Sequence, residues 1–93
     1  MKPKYGVALT NQFKKDLKVS KKRNLDIDLL ESIVEKLANG EELEPKFKDH
    51  SLTGNYKGYR ECHINPDWLL IYKIQDDILV LTLQRTGRHS DLF

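Results

Sequence analysis

His50, His63 and His89 are the three histidines of this 93-residue chain, and they fall in separate stretches of it. Imidazole titrates near ~6.5, so at neutral pH one ring can accept a proton while another donates one. RNA brings its own nucleophile, the 2′-hydroxyl. A protein that cleaves it must add a base for that hydroxyl, positive charge for the pentacoordinate phosphate, and an acid for the departing 5′-oxygen. That chemistry needs no metal and no cofactor. His50 leaves a loop, His63 ends a strand-like run, Asp67 follows in a turn, and His89 lies near the C-terminus. Groups separated in sequence but meeting at one end of a sheet are a common way to build such a site. Each residue also has a plainer reading: His63 as a structural histidine, His50 as an exposed loop residue and His89 as part of a loose tail. Asp67 could be a turn residue bonding its own backbone. Trp68 is by default a core anchor, and Phe93 a frayed terminus. Residue types and spacing alone reach no further than the chemistry of a nuclease.

The elements that must position these groups fit one domain spanning residues 1–93, since the chain is too short for two. It is 39% hydrophobic and 32% charged, with no repeat, low-complexity tract or flexible linker. Cys62 is the sole cysteine, so no intramolecular disulfide forms and no thiol pair is available for zinc. It reads as a small buried hydrophobe. No signal peptide and no apolar run of about 20 residues is visible, so a soluble, cytoplasmic protein with no membrane partner is expected. The net charge of +2 is unevenly spread. Residues 1–24 hold eight Lys/Arg against Asp16 alone, while 25–50 hold three Lys against eight Asp/Glu. The basic block suits phosphate backbones or an acidic partner, and suits equally the wet face of a helix.

Residues 4–9 predict a short strand. Thr10 or Asn11 caps a helix to about Asn24, with Phe13 and Leu17 as its apolar stripe. Asp26 caps a second helix, in which Leu30, Ile33, Val34 and Leu37 recur at helical spacing, and Gly40 closes it. Residues 41–57 are loop-like. From there the period becomes two: 59–64 predicts a strand with Tyr59, Glu61 and His63 on one face and Arg60, Cys62 and Ile64 on the other. The turn Asn65-Pro66-Asp67 leads into a strand over 68–74. Gln75-Asp76-Asp77 then turns the chain into a strand over 78–83. The fold class is therefore α+β in the order β-α-α-β-β-β. A helical hairpin packs on one face of a largely antiparallel sheet and leaves the other face free for chemistry.

Two stretches carry a resemblance. The first runs from His50-Ser51-Leu52 through Tyr59-Arg60-Glu61-Cys62-His63-Ile64-Asn65-Pro66-Asp67-Trp68 to Tyr72. The second is Arg85-Thr86-Gly87-Arg88-His89-Ser90-Asp91-Leu92-Phe93. Both resemble signatures of YafQ-type toxins in the RelE/ParE superfamily, strongly from Lys48 onward and by pattern before it. Tyr56 stands where Trp is frequent in relatives, and both are aromatic. The resemblance implies the RelE-like fold already derived and matches His50, His63, Asp67 and His89 to catalytic positions. It puts Phe93 on the substrate base and Arg85 on the phosphate, where a charged guanidinium fork is apt. Glu61, on the strand face of His63, would orient that ring or share its proton. Trp68 would line the site or brace its turn, and Arg60 is read as structural.

The function so implied is a ribosome-dependent mRNA endoribonuclease toxin of a type II toxin–antitoxin system, which inhibits translation without metal. Its partners would be a cognate antitoxin, the ribosome and mRNA, with operator DNA reached through the antitoxin. The alternative is a non-catalytic module that binds RNA, ribosome or antitoxin and acts as a transcriptional co-repressor.

Overall fold

A computed structural model describes residues 3–93. Thr10 caps the first helix, its Oγ1 accepting from the Phe13 N–H at 2.9 Å and donating to the Gln84 carbonyl at 2.8 Å. The helix, α1 (Asn11–Lys22), follows strand β1 (Gly6–Leu9) and ends two residues short of the expected Asn24. Asn24 instead adopts φ 57°, a left-handed conformation that asparagine tolerates. Asp26 caps α2 (Ile27–Ala38) by accepting from the Leu29 N–H at 3.1 Å. Gly40, at φ 77°, closes it as the sequence suggests.

Residues 41–57, expected as loop, hold two short 3₁₀ turns, Pro45–Phe47 and Gly54–Tyr56, and a two-residue strand, β2 (His50–Ser51). Then come β3 (Arg60–Asn65), β4 (Trp68–Gln75), β5 (Val80–Gly87) and a final helical turn, α3 (His89–Leu92). The sheet order is β1-β5-β4-β3-β2; β1 runs parallel to β5 and every other neighbouring pair is antiparallel. The expectation of an α+β fold on a largely antiparallel sheet holds. The last strand begins later than the predicted 78 and runs on to Gly87. Ile78 and Leu79 instead form the exposed hairpin tip, with Leu79 at φ 53°.

Phe13, Leu30, Ile33 and Leu37 from the helices meet Cys62, Ile64, Trp68, Leu70, Tyr72, Leu81 and Leu83 from the sheet to form the core. The opposite face has a smaller floor of Leu69 and Ile71, covered by Leu92 of α3 and flanked by Leu52, Tyr56 and Tyr59. One irregularity governs what this second face displays. Ile71 pairs with Arg85 but Tyr72 pairs with Leu83, so Gln84 is the extra residue of a β-bulge. Without it, Arg85 would point to the helix side with Leu83. With it, Arg85 and Gly87 stand over the face that carries Ile71 and Leu69. Among the described residues no helix is long and apolar enough to cross a membrane.

Candidate active site

Alternation along β3 sends Cys62 and Ile64 into the core and Glu61 and His63 to the opposite face, as the sequence predicts. β2 then sets His50 directly opposite Glu61, and residues so paired share a face. The result is a cluster of three. His50 Nε2 lies 3.5 Å from Glu61 Oε1, and His63 Nε2 lies 3.6 Å from the same oxygen. The two imidazole centroids are 6.3 Å apart. The Glu61 side chain is only 7% exposed. A carboxylate at that depth is most stable beside a cation, and among the described residues these two rings are the groups within 4 Å that can carry one.

His50 has a defined tautomer. Its Nδ1 lies 2.6 Å from the Lys48 carbonyl, which can only accept, so Nδ1 carries the hydrogen. In the neutral ring Nε2 is then the lone pair, and a proton taken there is held against Glu61 Oε1, which accepts from it.

A second group of residues gathers at the same end of the sheet. Asn65, Pro66, Asp67, Trp68, Arg88, His89 and Ser90 line a cleft of about 720 Å³ together with Leu25. His63 pairs with Leu69, and Leu69 with Gly87. His63 and Gly87 therefore lie two strand spacings apart, roughly 10 Å, and His89 follows Gly87 by two residues. His89 is not a loose tail: it opens α3, and its ring stacks on Phe93 with centroids 4.9 Å apart. Phe93 in turn meets Tyr56 edge-on at 5.5 Å, and Tyr56 meets Tyr59 at 6.1 Å. Phe93 remains 55% exposed, so part of its ring is open for a base to stack upon.

The remaining expected residues fall differently. Asp67 is exposed, its N–H donating to Asn65 Oδ1 at 3.0 Å, which is the turn geometry expected of Asn-Pro-Asp. Trp68 is 1% exposed and packs in the helix-side core. It also edges the cleft that holds His89. Arg85 does stand over the site face, but much of its fork is committed: Nε and Nη2 donate to Asp16 of α1 at 3.0 and 3.1 Å. The bond to Asp16 raises the guanidinium's already high pKa, and only the rest of the fork can reach a phosphate. Arg60 points to the other face, as expected, and bonds Asp49 and Ser51.

Sequence reasoning did not single out Asp16 or Asp49. Asp16 is one acid in a lysine-rich helix and carries no motif, and its role exists only because β1 ends at Leu9 and leaves the edge of β5 open. There Asp16 also accepts the Thr86 N–H at 3.2 Å.

Residues 5–93 match the family described as the bacterial toxin of type II toxin–antitoxin system, YafQ. The chain is 41% identical over 88 residues to the mRNA interferase toxin YafQ of Escherichia coli strain K12, covering 94% of each. It superposes on the crystal structure of YafQ from Escherichia coli strain BL21(DE3) with a TM-score of 0.90 at 39% identity, covering 96% of this chain and 98% of that one. On the toxin of the Escherichia coli DinJ–YafQ toxin–antitoxin complex the TM-score is 0.88 at 40% identity, covering 97% and 98%. The arrangement of imidazoles around Glu61 thus sits on a fold shared along nearly the whole chain, and the protein belongs to the YafQ family of bacterial type II toxin–antitoxin toxins.

Proposed function

We propose that this chain is a ribosome-dependent mRNA endoribonuclease held inactive by a cognate antitoxin. The relative's name as an mRNA interferase and its neighbour's capture with an antitoxin support the class. The observation that carries the reading is His50 and His63 flanking buried Glu61, two strands from His89.

In this reading His50 Nε2 takes the proton of the 2′-hydroxyl, with His63 as the second ring able to do so. The 2′-oxygen then attacks phosphorus, the bond from phosphorus to the 5′-oxygen breaks, and His89 supplies the proton that the departing oxygen needs. The products are a 2′,3′-cyclic phosphate, which water opens to a 3′-phosphate, and a 5′-hydroxyl. Glu61 balances the charge that passes between the two rings. Asp67, on the cleft with His89, sets a histidine tautomer. The free part of Arg85's fork meets the phosphate, and Phe93 stacks on the base.

The test is cleavage of mRNA on programmed ribosomes by the purified chain, with end-group analysis. Cleavage leaving a 5′-hydroxyl, reduced by about 10²–10⁴ in His89→Ala, is expected. Products with a 3′-hydroxyl and a 5′-phosphate, or undiminished cleavage by the variant, would reject it. The exposed Lys14, Lys15, Lys18, Lys21 and Lys22 on α1 favour a second reading, binding without catalysis. Equal growth arrest by wild type and His89→Ala would select that one.

A further inference from the structure

His50 is the least supported member of the cluster by ordinary measures. It sits on a strand of two residues at the sheet edge, and its side chain is 49% exposed. So short a ladder fixes a side chain poorly. Yet the ring must hold one tautomer and one direction to act on a single hydroxyl. Its neighbours supply the missing restraint. Asp49 sends its carboxylate to the face opposite His50, where Oδ1 accepts from Tyr72 Oη at 2.5 Å and from Arg60 Nε at 3.2 Å. Arg60 Nη1 donates in turn to Ser51 Oγ at 2.9 Å. The residues on both sides of His50 are thereby tied to β3 and β4. Behind them Lys48 adopts φ 50°, and its carbonyl receives the His50 Nδ1–H.

The anchoring phenol is deep in the core, 1% exposed. Burial, reinforced by Asp49, pushes its pKa far above the usual range for tyrosine. Tyr72 therefore keeps its hydrogen and donates it to Asp49.

We propose that Asp49, Tyr72 and Arg60 form a positioning clamp for His50, built on the helix side of the sheet, away from the substrate. None of the three touches the reacting atoms in this arrangement. They act by holding the 48–51 segment so that His50 keeps its hydrogen on Nδ1 and turns Nε2 toward Glu61. The kinetic part of the inference rests on the nuclease reading above; the tautomeric part does not.

The experiment uses the full chain with Tyr72→Phe, which removes only the hydroxyl, and Asp49→Asn, which keeps the shape. Nitrogen-15 NMR of His50 in its neutral form should show a single Nδ1–H tautomer in the wild type and averaged tautomers in both variants. Single-turnover cleavage on ribosomes should lose about 10–100-fold in rate, the scale expected of a small misplacement, with little change in KM. Asp49→Glu should not restore the rate, because a longer side chain displaces the carboxylate from Tyr72. If Asp49→Asn does not fold, Tyr72→Phe and Ser51→Ala carry the comparison. A lower melting temperature with the His50 tautomer and cleavage rate unchanged would leave the network merely structural and overturn the proposal. A wild-type chain that cuts no RNA would instead refute the reaction, and the NMR comparison would still decide the clamp.

Discussion

His50 and His63 face each other with ring centroids 6.3 Å apart, and one oxygen of Glu61 lies between their Nε2 atoms. In the proposed reaction this arrangement separates catalysis from stability. Glu61→Gln keeps the volume and removes a charge that burial disfavours, so stability should be unchanged or slightly higher. Cleavage should fall about 10–100-fold, because neither ring then has a carboxylate to balance its charge. A thermal melt together with single-turnover kinetics reads both. An unchanged rate would remove Glu61 from the mechanism.

The proposed reaction gives His89 and Phe93 different parts of the substrate although their rings are stacked. His89 is exposed, so His89→Ala should leave the melting temperature almost unaltered while lowering kcat by about 10²–10⁴. Phe93→Ala removes a stacking surface worth about 1–3 kcal/mol per base, so KM should rise by about tenfold or more with a smaller change in kcat. If both variants changed KM alone, His89 would be a binding residue and the acid would have to lie elsewhere.

What could be read in advance depended on whether its cause was local. Thr10, Asp26 and Gly40 mark helix ends by bonds to residues a few positions away, and alternation along β3 assigned Glu61 and His63 to one face. The position of Arg85 has no such local cause. A plain two-residue period would place it with Leu83 in the core, and only the bulge at Gln84, set by register against β4, turns it outward. Ile78 and Leu79 look like strand residues by type, yet they form the hairpin tip, where the left-handed Leu79 delays the start of β5 to Val80. Strand β2 is two residues long, too short for any periodicity. Its pairing with β3 nonetheless brings His50 to Glu61.

Acid should release α3 before it unfolds the sheet. Asp91 accepts from the Arg88 N–H at 2.9 Å and from Arg23 Nη1 at 3.0 Å. These bonds, the backbone one foremost, hold its carboxyl below the usual 3.8. A depressed carboxyl contributes its stabilisation fully above 3.8 and loses it as pH falls through the lower native value. Leu92 methyl and Phe93 ring resonances should therefore shift below pH 3.8 while the β4 amides stay protected. Asp91→Asn should reproduce the change at neutral pH. Simultaneous loss of both sets of signals would show that α3 has no separate equilibrium.

Cys62 offers the opposite sign. Burial foremost, with Asp49 and Glu61 adding repulsion, pushes its thiol up to about 12 from 9.0. The native state favours the protonated form, so this contribution is complete below 9.0 and is lost as pH climbs toward about 12. The thiol should resist alkylation at pH 8–9 until denaturant is added. Rapid native labelling would mean that the strand opens far more readily than its 0% exposure indicates.

Asp16 holds the open edge of β5 by accepting from Arg85 Nε, Arg85 Nη2 and the Thr86 N–H. The side chains are 10% and 23% exposed, which places the pair well inside the range where removing one partner is costly. Asp16→Ala should lose about 2 kcal/mol, lowering the melting temperature of a domain this size by about 8–16 °C. Arg85→Ala should lose less, because Asp16 keeps the Thr86 N–H. In the double variant the two losses should fall short of their sum by about 0.5–3 kcal/mol, the signature of a direct pair. Arg85→Lys sharpens the argument: it keeps the charge but not the fork, so it should recover little of either the stability or the cleavage rate. Full recovery by lysine would mean that only a positive charge is needed there, and the bulge that aims the guanidinium would have no part in the site.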